Sequence, residues 1–134
     1  MGVLKMVEEA KKRVQNLSND EFAEELTRGD ALVVDIRDVR ERWREGTVPG
    51  ARSAPRGMLE FWADPEFPYY KPFFKPDRRT IVYCAGGMRS ALAAAALQDL
   101  GFTNVAHLEG GFDGWRESGG EVEPVPIPEE YRKG

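Results

Sequence analysis

Cys84 is the one cysteine of the chain; Arg89 stands five residues on, and Ser90 follows it. The residues between, Ala85-Gly86-Gly87-Met88, join an apolar run, Thr80-Ile81-Val82-Tyr83, to an alanine-rich stretch, Ala91 to Leu100. That order predicts a short buried strand, a tight loop and a helix. A thiol at the first turn of a helix faces backbone N–H groups with no partner inside the helix. The positive end of the helix dipole favours anions there, and a thiolate is an anion. The N–H groups of Ala85, Gly86, Gly87, Met88, Arg89 and Ser90 then form an anion cradle around a nucleophilic sulfur. The glycine pair supplies the positive φ values that such a ring of donors requires. Arg89 adds a charge at the mouth or an ion pair behind the loop, and Ser90 can cap the helix.

Other residues are candidates for the same site. Asp35 and Arg37 are alternate residues at the end of a second apolar run, Ala31 to Ile36. They read either as a structural ion pair or as groups that shape the site. Arg56, just ahead of an aromatic stretch, is a candidate contact for an anion. His107, the one histidine, lies in a strand leading into a turn and reads as a packed or hydrogen-bonded residue rather than a general base.

The elements that position these groups follow from pattern. Val3, Met6, Val7, Ala10 and Val14 recur at helical spacing and predict an amphipathic helix over 3–15. Ser18 and Glu21 form a capping box that opens a helix to about Arg28, closed by Gly29. Ala31 to Ile36 reads as a strand buried on both faces. Glu41 to Glu45 reads as a short helix ended by Gly46, and Val48 to Ala51 as a turn into a brief extended segment. Residues 80–84 and Asn104 to Leu108 are further strands; residues 89–100 and Gly111 to Glu117 are helices. Strands alternating with helices imply parallel pairing through right-handed crossovers. Sites in such sheets lie at the carboxyl ends of strands, where both Asp35 and Cys84 fall.

Residues 61–74 hold seven of the fourteen aromatics, and prolines 65, 68, 72 and 76 make much of the stretch a loop. So apolar a loop covers a satellite core beneath itself, the favoured reading, or else walls a pocket or meets another subunit. The tail from Glu121, with Pro124, Pro126 and Pro128, is expected to be extended. Trp43 and Trp115 read as core anchors.

At 134 residues, 41% hydrophobic and 31% charged, the chain suits one soluble globular domain. A net charge of −4 with no basic run gives no reason to expect nucleic acid or an acidic membrane as partner. The longest mostly apolar stretch, Ala91 to Leu97, is far below the ~20 residues that cross a bilayer. Residues 1–13 carry lysine and glutamate and lack an apolar signal core. One cysteine forms no internal disulfide, which fits a reducing compartment, so the cytoplasm is the expected location.

Three stretches, in order, resemble rhodanese-like domains: Val33 to Arg37 with Glu41 to Ala51; Ile81 to Ser90; and Leu108 to Trp115. The resemblance covers about residues 18–118, with a helical extension over 1–17 and a proline-rich tail over 119–134. It implies a three-layer α/β/α domain around a parallel sheet of about five strands. It also implies a sulfurtransferase in which Cys84 takes a sulfane sulfur, for example from thiosulfate, as a persulfide and passes it to a thiophilic acceptor. The partners would be a small anionic donor and a thiol or protein acceptor, with no metal or organic cofactor; the chain would be a monomer or homodimer. The alternative is a non-catalytic or sulfur-carrying module that acts on a protein partner. A cysteine phosphatase or arsenate reductase is less favoured, because those relatives use Cys-x5-Arg and this loop is Cys-x4-Arg. Ala85, and Met88 with Arg89, depart from residues that other sulfurtransferases of the family carry there, which leaves donor preference open; Thr47 stands where the family commonly has a histidine that reads as structural.

Overall fold

The computed structural model describes residues 2–132. In chain order the elements are α1 (Val3–Arg13), β1 (Gln15–Leu17), α2 (Asn19–Arg28), β2 (Leu32–Asp35), α3 (Val39–Glu45) and β3 (Arg52–Ser53). After them come α4 (Leu59–Ala63), β4 (Thr80–Tyr83), α5 (Met88–Asp99), β5 (Val105–Leu108) and α6 (Gly111–Glu117). The five strands lie in the order β1-β5-β4-β2-β3, and every neighbouring pair is parallel. This is the expected α/β architecture.

Strand alternation divides the core into two layers. Val34, Ile36, Val82, Cys84 and Val105 face α1, α4 and α5. Val33, Ile81, Tyr83, Ala106 and Leu108 face α2 and α6, where Phe22, Phe112 and Trp115 complete the packing. The alanines of α5 leave room for α1 to lie close against it, and Val7, Ala10 and Val14 are buried there. Among the described residues no helix is long and apolar enough to cross a membrane.

Several expectations are corrected. The first helix ends at Arg13 rather than 15, and Gln15–Leu17 forms an edge strand paired with β5. The segment before residue 18 therefore belongs to the same core and sheet as the rest. Helix α3 starts at Val39, not Glu41, because Asp38 and Glu41 make a second capping box. Much of the aromatic stretch is a loop, as expected; α4 takes only its first residues, Phe61 to Ala63. Its inner side joins the main core instead of forming a satellite, with Phe74 fully buried and Trp62, Tyr70 and Phe73 packed on the same cluster. Phe61, Phe67 and Tyr69 pack together on the outside, ring centroids 5.3 Å apart. Trp115 is a core residue as expected. Trp43 is half-buried, its ring 5.5 Å from that of Tyr131 in the tail. The tail is also tied down by paired backbone hydrogen bonds of 2.9 Å between Thr47 and Glu123.

Candidate active site

Strand β4 ends at Tyr83 and delivers Cys84 to the carboxyl edge of the sheet, 1% exposed. The loop that follows rests on the turn between β5 and α6. Phe112 N–H donates to the Cys84 carbonyl at 2.8 Å and Asp113 N–H to the Ala85 carbonyl at 3.0 Å. Two glycines make this contact close. Gly87 has φ +99°, and a Cβ there would lie 2.1 Å from the Glu109 carbonyl oxygen. Gly111 has φ +67°, and its Cβ would lie 2.3 Å from the Ala85 carbonyl oxygen. Any side chain at either position would push the loop off its support. The expected left-handed glycine pair is thus one residue: Gly87 adopts positive φ and Gly86 does not.

The sulfur of Cys84 accepts two backbone hydrogen bonds, from Gly87 N–H at 3.2 Å and Ser90 N–H at 3.3 Å. Ala85, Gly86, Met88 and Arg89 spend their N–H groups on no protein acceptor among the described residues. Ser90 does not cap the helix; the cap position is Gly87, without a side-chain bond. The Ser90 hydroxyl instead lies 3.5 Å from the sulfur and 2.8 Å from Nδ1 of His107. His107 is fully buried, and its Nε2 lies 2.6 Å from Oδ1 of Asn16. Burial, assisted by the charge of Lys11, pushes the imidazole down to about 4, so it is neutral near pH 7.

Arg89 is held from outside the loop. Its guanidinium donates two hydrogen bonds to the Glu41 carboxylate of α3, at 2.9 and 3.1 Å, while its side chain stays 43% exposed. The Glu41 bond raises the pKa of Arg89 above its ordinary value, and the Cys84 sulfur adds a smaller contribution. In return the Arg89 bond holds the Glu41 carboxyl below the usual range. Of the two roles foreseen for Arg89, the ion pair is made, and the guanidinium still feels the sulfur.

Asp35 and Arg37 point into the opposite layer and do not join the loop. Both are fully buried, and Arg37 donates to Asp35 at 2.8 and 3.0 Å, to Glu45 at 3.0 Å and to the Gly46 carbonyl at 2.7 Å. Its guanidinium lies 4.2 Å from the Phe112 ring centroid. Asp35 also accepts from Tyr83 O–H at 2.9 Å and Thr47 O–H at 3.2 Å, with Arg42 at 3.3 Å. Burial and then the Asp35 charge push the Tyr83 hydroxyl upward. This is the structural ion-pair reading of Asp35 and Arg37. Arg56 is also placed elsewhere: it pairs with Glu60 at 2.6 Å beside the groove between α1 and α5. The sequence reading missed Glu41 and Asn16. The spacing from Asp38 to Glu41 is itself a capping signal, whereas nothing local marks Asn16.

Among the described residues no cluster of three or more His, Cys, Asp or Glu is placed to hold a metal ion. A five-stranded parallel sheet with a cysteine loop at its carboxyl edge defines a class, and the family model for the rhodanese-like domain matches residues 18–118. The chain belongs to the rhodanese-like family. It is 32% identical over 100 residues to a sulfurtransferase of Allochromatium vinosum, covering 75% of this chain and 82% of that one. It is 29% identical over 102 residues to the thiosulfate sulfurtransferase GlpE of Pseudoalteromonas translucida, covering 75% and 88%. It is also 32% identical over 83 residues to the "Probable adenylyltransferase/sulfurtransferase MoeZ" of Mycobacterium tuberculosis, covering 62% of this chain and spanning 19% of that protein's length. Among solved structures, "Protein of Unknown Function RPA3614, Possible Tyrosine Phosphatase" from Rhodopseudomonas palustris is 48% identical. It superposes with a TM-score of 0.88 and covers 92% of this chain and 95% of that one.

Proposed function

We propose that the chain is a sulfurtransferase that carries sulfane sulfur on Cys84 as a persulfide. The observation that supports this most is the sulfur at the end of β4, receiving the Gly87 and Ser90 N–H groups within a six-residue Cys-x4-Arg loop. In the proposed reaction the Cys84 thiolate attacks the outer sulfur of thiosulfate. A sulfur–sulfur bond forms to Sγ, the original one breaks, and sulfite leaves with the electron pair. The outer sulfur then carries the negative charge, and the unspent N–H groups of Gly86, Met88 and Arg89 are placed to stabilise it, as an oxyanion hole does. A thiophilic acceptor attacks that sulfur and returns Cys84 as thiolate. Gly86, Met88 and Arg89 are exposed at the rim, where a small acceptor or a partner's thiol can approach.

A second reading, hydrolysis of aryl phosphates, is favoured by the description of the Rhodopseudomonas palustris relative. The six-residue loop opposes it, since a phosphoryl group needs the wider seven-residue cradle. Steady-state assays separate the two. Thiosulfate-to-cyanide transfer that disappears in Cys84→Ser, with no aryl phosphatase turnover, is the expected outcome, because a serine alkoxide is not accessible near neutral pH. Cys84-dependent phosphatase activity without sulfur transfer would overturn the proposal.

A further inference from the structure

Four polar side chains from three elements and a strand end form a continuous line into the core and finish at the sulfur. Asn16 on β1 and His107 on β5 are register partners in the parallel pair. His107 lies on the same face as Cys84, because its register partner on β4 is Val82, two residues before it. Ser90, in the first turn of α5, bridges them.

The direction of every hydrogen bond in this line is set from its far end. The Asn16 amide nitrogen donates to the backbone carbonyls of Lys11 at 2.9 Å and Val14 at 3.2 Å. A carbonyl oxygen in that position would face two other carbonyls, so the amide has one workable orientation. Its Oδ1 therefore faces His107 Nε2 and must accept, so Nε2 carries the proton. A neutral imidazole has one N–H, which leaves Nδ1 as an acceptor. Ser90 then gives its hydroxyl proton to Nδ1 and shows the sulfur lone pairs alone.

We infer that Asn16 and His107 are positioning residues that hold the Ser90 hydroxyl as a fixed acceptor at Cys84 Sγ, matched to S–H and mismatched to a negative sulfur. Two backbone donors and one locked side-chain acceptor thus compete at the same atom. Once the outer sulfur is loaded, negative charge moves one atom further out and Sγ no longer carries it. The locked hydroxyl opposes charge on Sγ in the unloaded state without opposing the persulfide. The inference rests on Cys84 being the nucleophile of the proposed transfer. The charged groups around this line are Arg89, paired with Glu41 of α3, at the sulfur end. At the histidine end is Lys11 of α1, 3.8 Å from Glu109. None of the substitutions below alters these groups.

Breaking the line at either remote link should free the Ser90 hydroxyl to turn onto the sulfur. In His107→Leu the hydroxyl loses its acceptor. In Asn16→Leu the imidazole is released to carry its proton on Nδ1, donate to Ser90 and turn the hydroxyl proton toward Sγ. Each variant should be alkylated by iodoacetamide roughly three- to tenfold faster at pH 7, the effect of gaining one hydrogen bond of ordinary net strength at the sulfur. The rate–pH profile of each should move to lower pH. On a Ser90→Ala background neither substitution should change the profile, which a general loosening of the fold would not reproduce. The wild-type protein supplies an independent readout. His107 is the one histidine, so a long-range 1H–15N spectrum at pH 6 contains one imidazole, expected as the neutral Nε2–H tautomer. An Nδ1–H tautomer, an imidazolium, unchanged or slower alkylation in the single variants, or an equal gain on the Ser90→Ala background would overturn the inference. None of these readouts needs a sulfur donor. Absence of sulfur transfer alongside the expected tautomer and alkylation would reject the transferase reading alone.

Discussion

Two buried polar clusters lie on opposite faces of one sheet, and they differ in what they leave unfinished. On the α2/α6 side, Asp35, Arg37, Thr47 and Tyr83 form a charged network in which both Asp35 oxygens are engaged and the Arg37 guanidinium has three different acceptors. On the α5 side, the line through Cys84, Ser90 and His107 contains no ion pair among the described residues and ends beside N–H groups that have no protein acceptor there. The first cluster spends its hydrogen-bonding capacity on holding β2, α3 and the turn at Gly46 together. The second keeps donors in reserve. The proposed function assigns reactivity to the cluster with spare donors, although the other carries more charge and sits at an equivalent strand end.

The largest expected effect separates the two clusters by stability. Asp35→Ala leaves the Arg37 guanidinium buried without its main partner and should cost about 3–5 kcal/mol. Cys84→Ser should leave the denaturation midpoint nearly unchanged. A loss below about 1 kcal/mol for Asp35→Ala, seen by urea unfolding, would mean that the network is not the anchor described.

The next effect belongs to the α5 side and depends on pH. His107 is pushed down to about 4 in the fold from an ordinary 6.5. Between those values the unfolded chain binds a proton that the folded chain refuses. Stability from this group is therefore complete above pH 6.5 and falls as the pH drops toward 4, by about 2 kcal/mol at pH 5. His107→Gln should lack that part of the decline. Parallel curves for wild type and variant between pH 7 and 5 would show that burial of the imidazole costs nothing.

Arg89→Ala should have the smallest effect on the fold. Its pair with Glu41 is partly exposed and worth at most about 1 kcal/mol. Transfer kinetics should respond more: kcat/KM for thiosulfate should fall roughly tenfold, the loss of one charged hydrogen bond to the donor. An unchanged kcat/KM with reduced stability would make Arg89 a strut between α3 and α5 and nothing more.

How much of this was legible in the sequence depended on how local each signal is. Strands β2 and β4 are continuous apolar runs, and the capping box at Ser18 and Glu21 is complete within four residues, so both were readable. The cysteine loop was readable for the same reason. Strand β1 was not: it has three residues, of which Leu17 alone is buried, and its partner β5 lies ninety residues away. Helix α4 was hidden by the prolines that follow it. Asp35 and Arg37 showed that they pair but not into which layer they point, since that depends on the strand register and on Phe112 of α6. The bond between Asn16 and His107 joins residues 91 apart, and the strand order alone brings them together.

Intact-protein mass spectrometry after incubation with thiosulfate tests the central claim most directly. One added sulfur on the wild-type chain, removed by cyanide and absent from Cys84→Ser, is the predicted result. No mass gain on wild-type protein, or an equal gain on Cys84→Ser, would contradict Cys84 as the sulfur carrier.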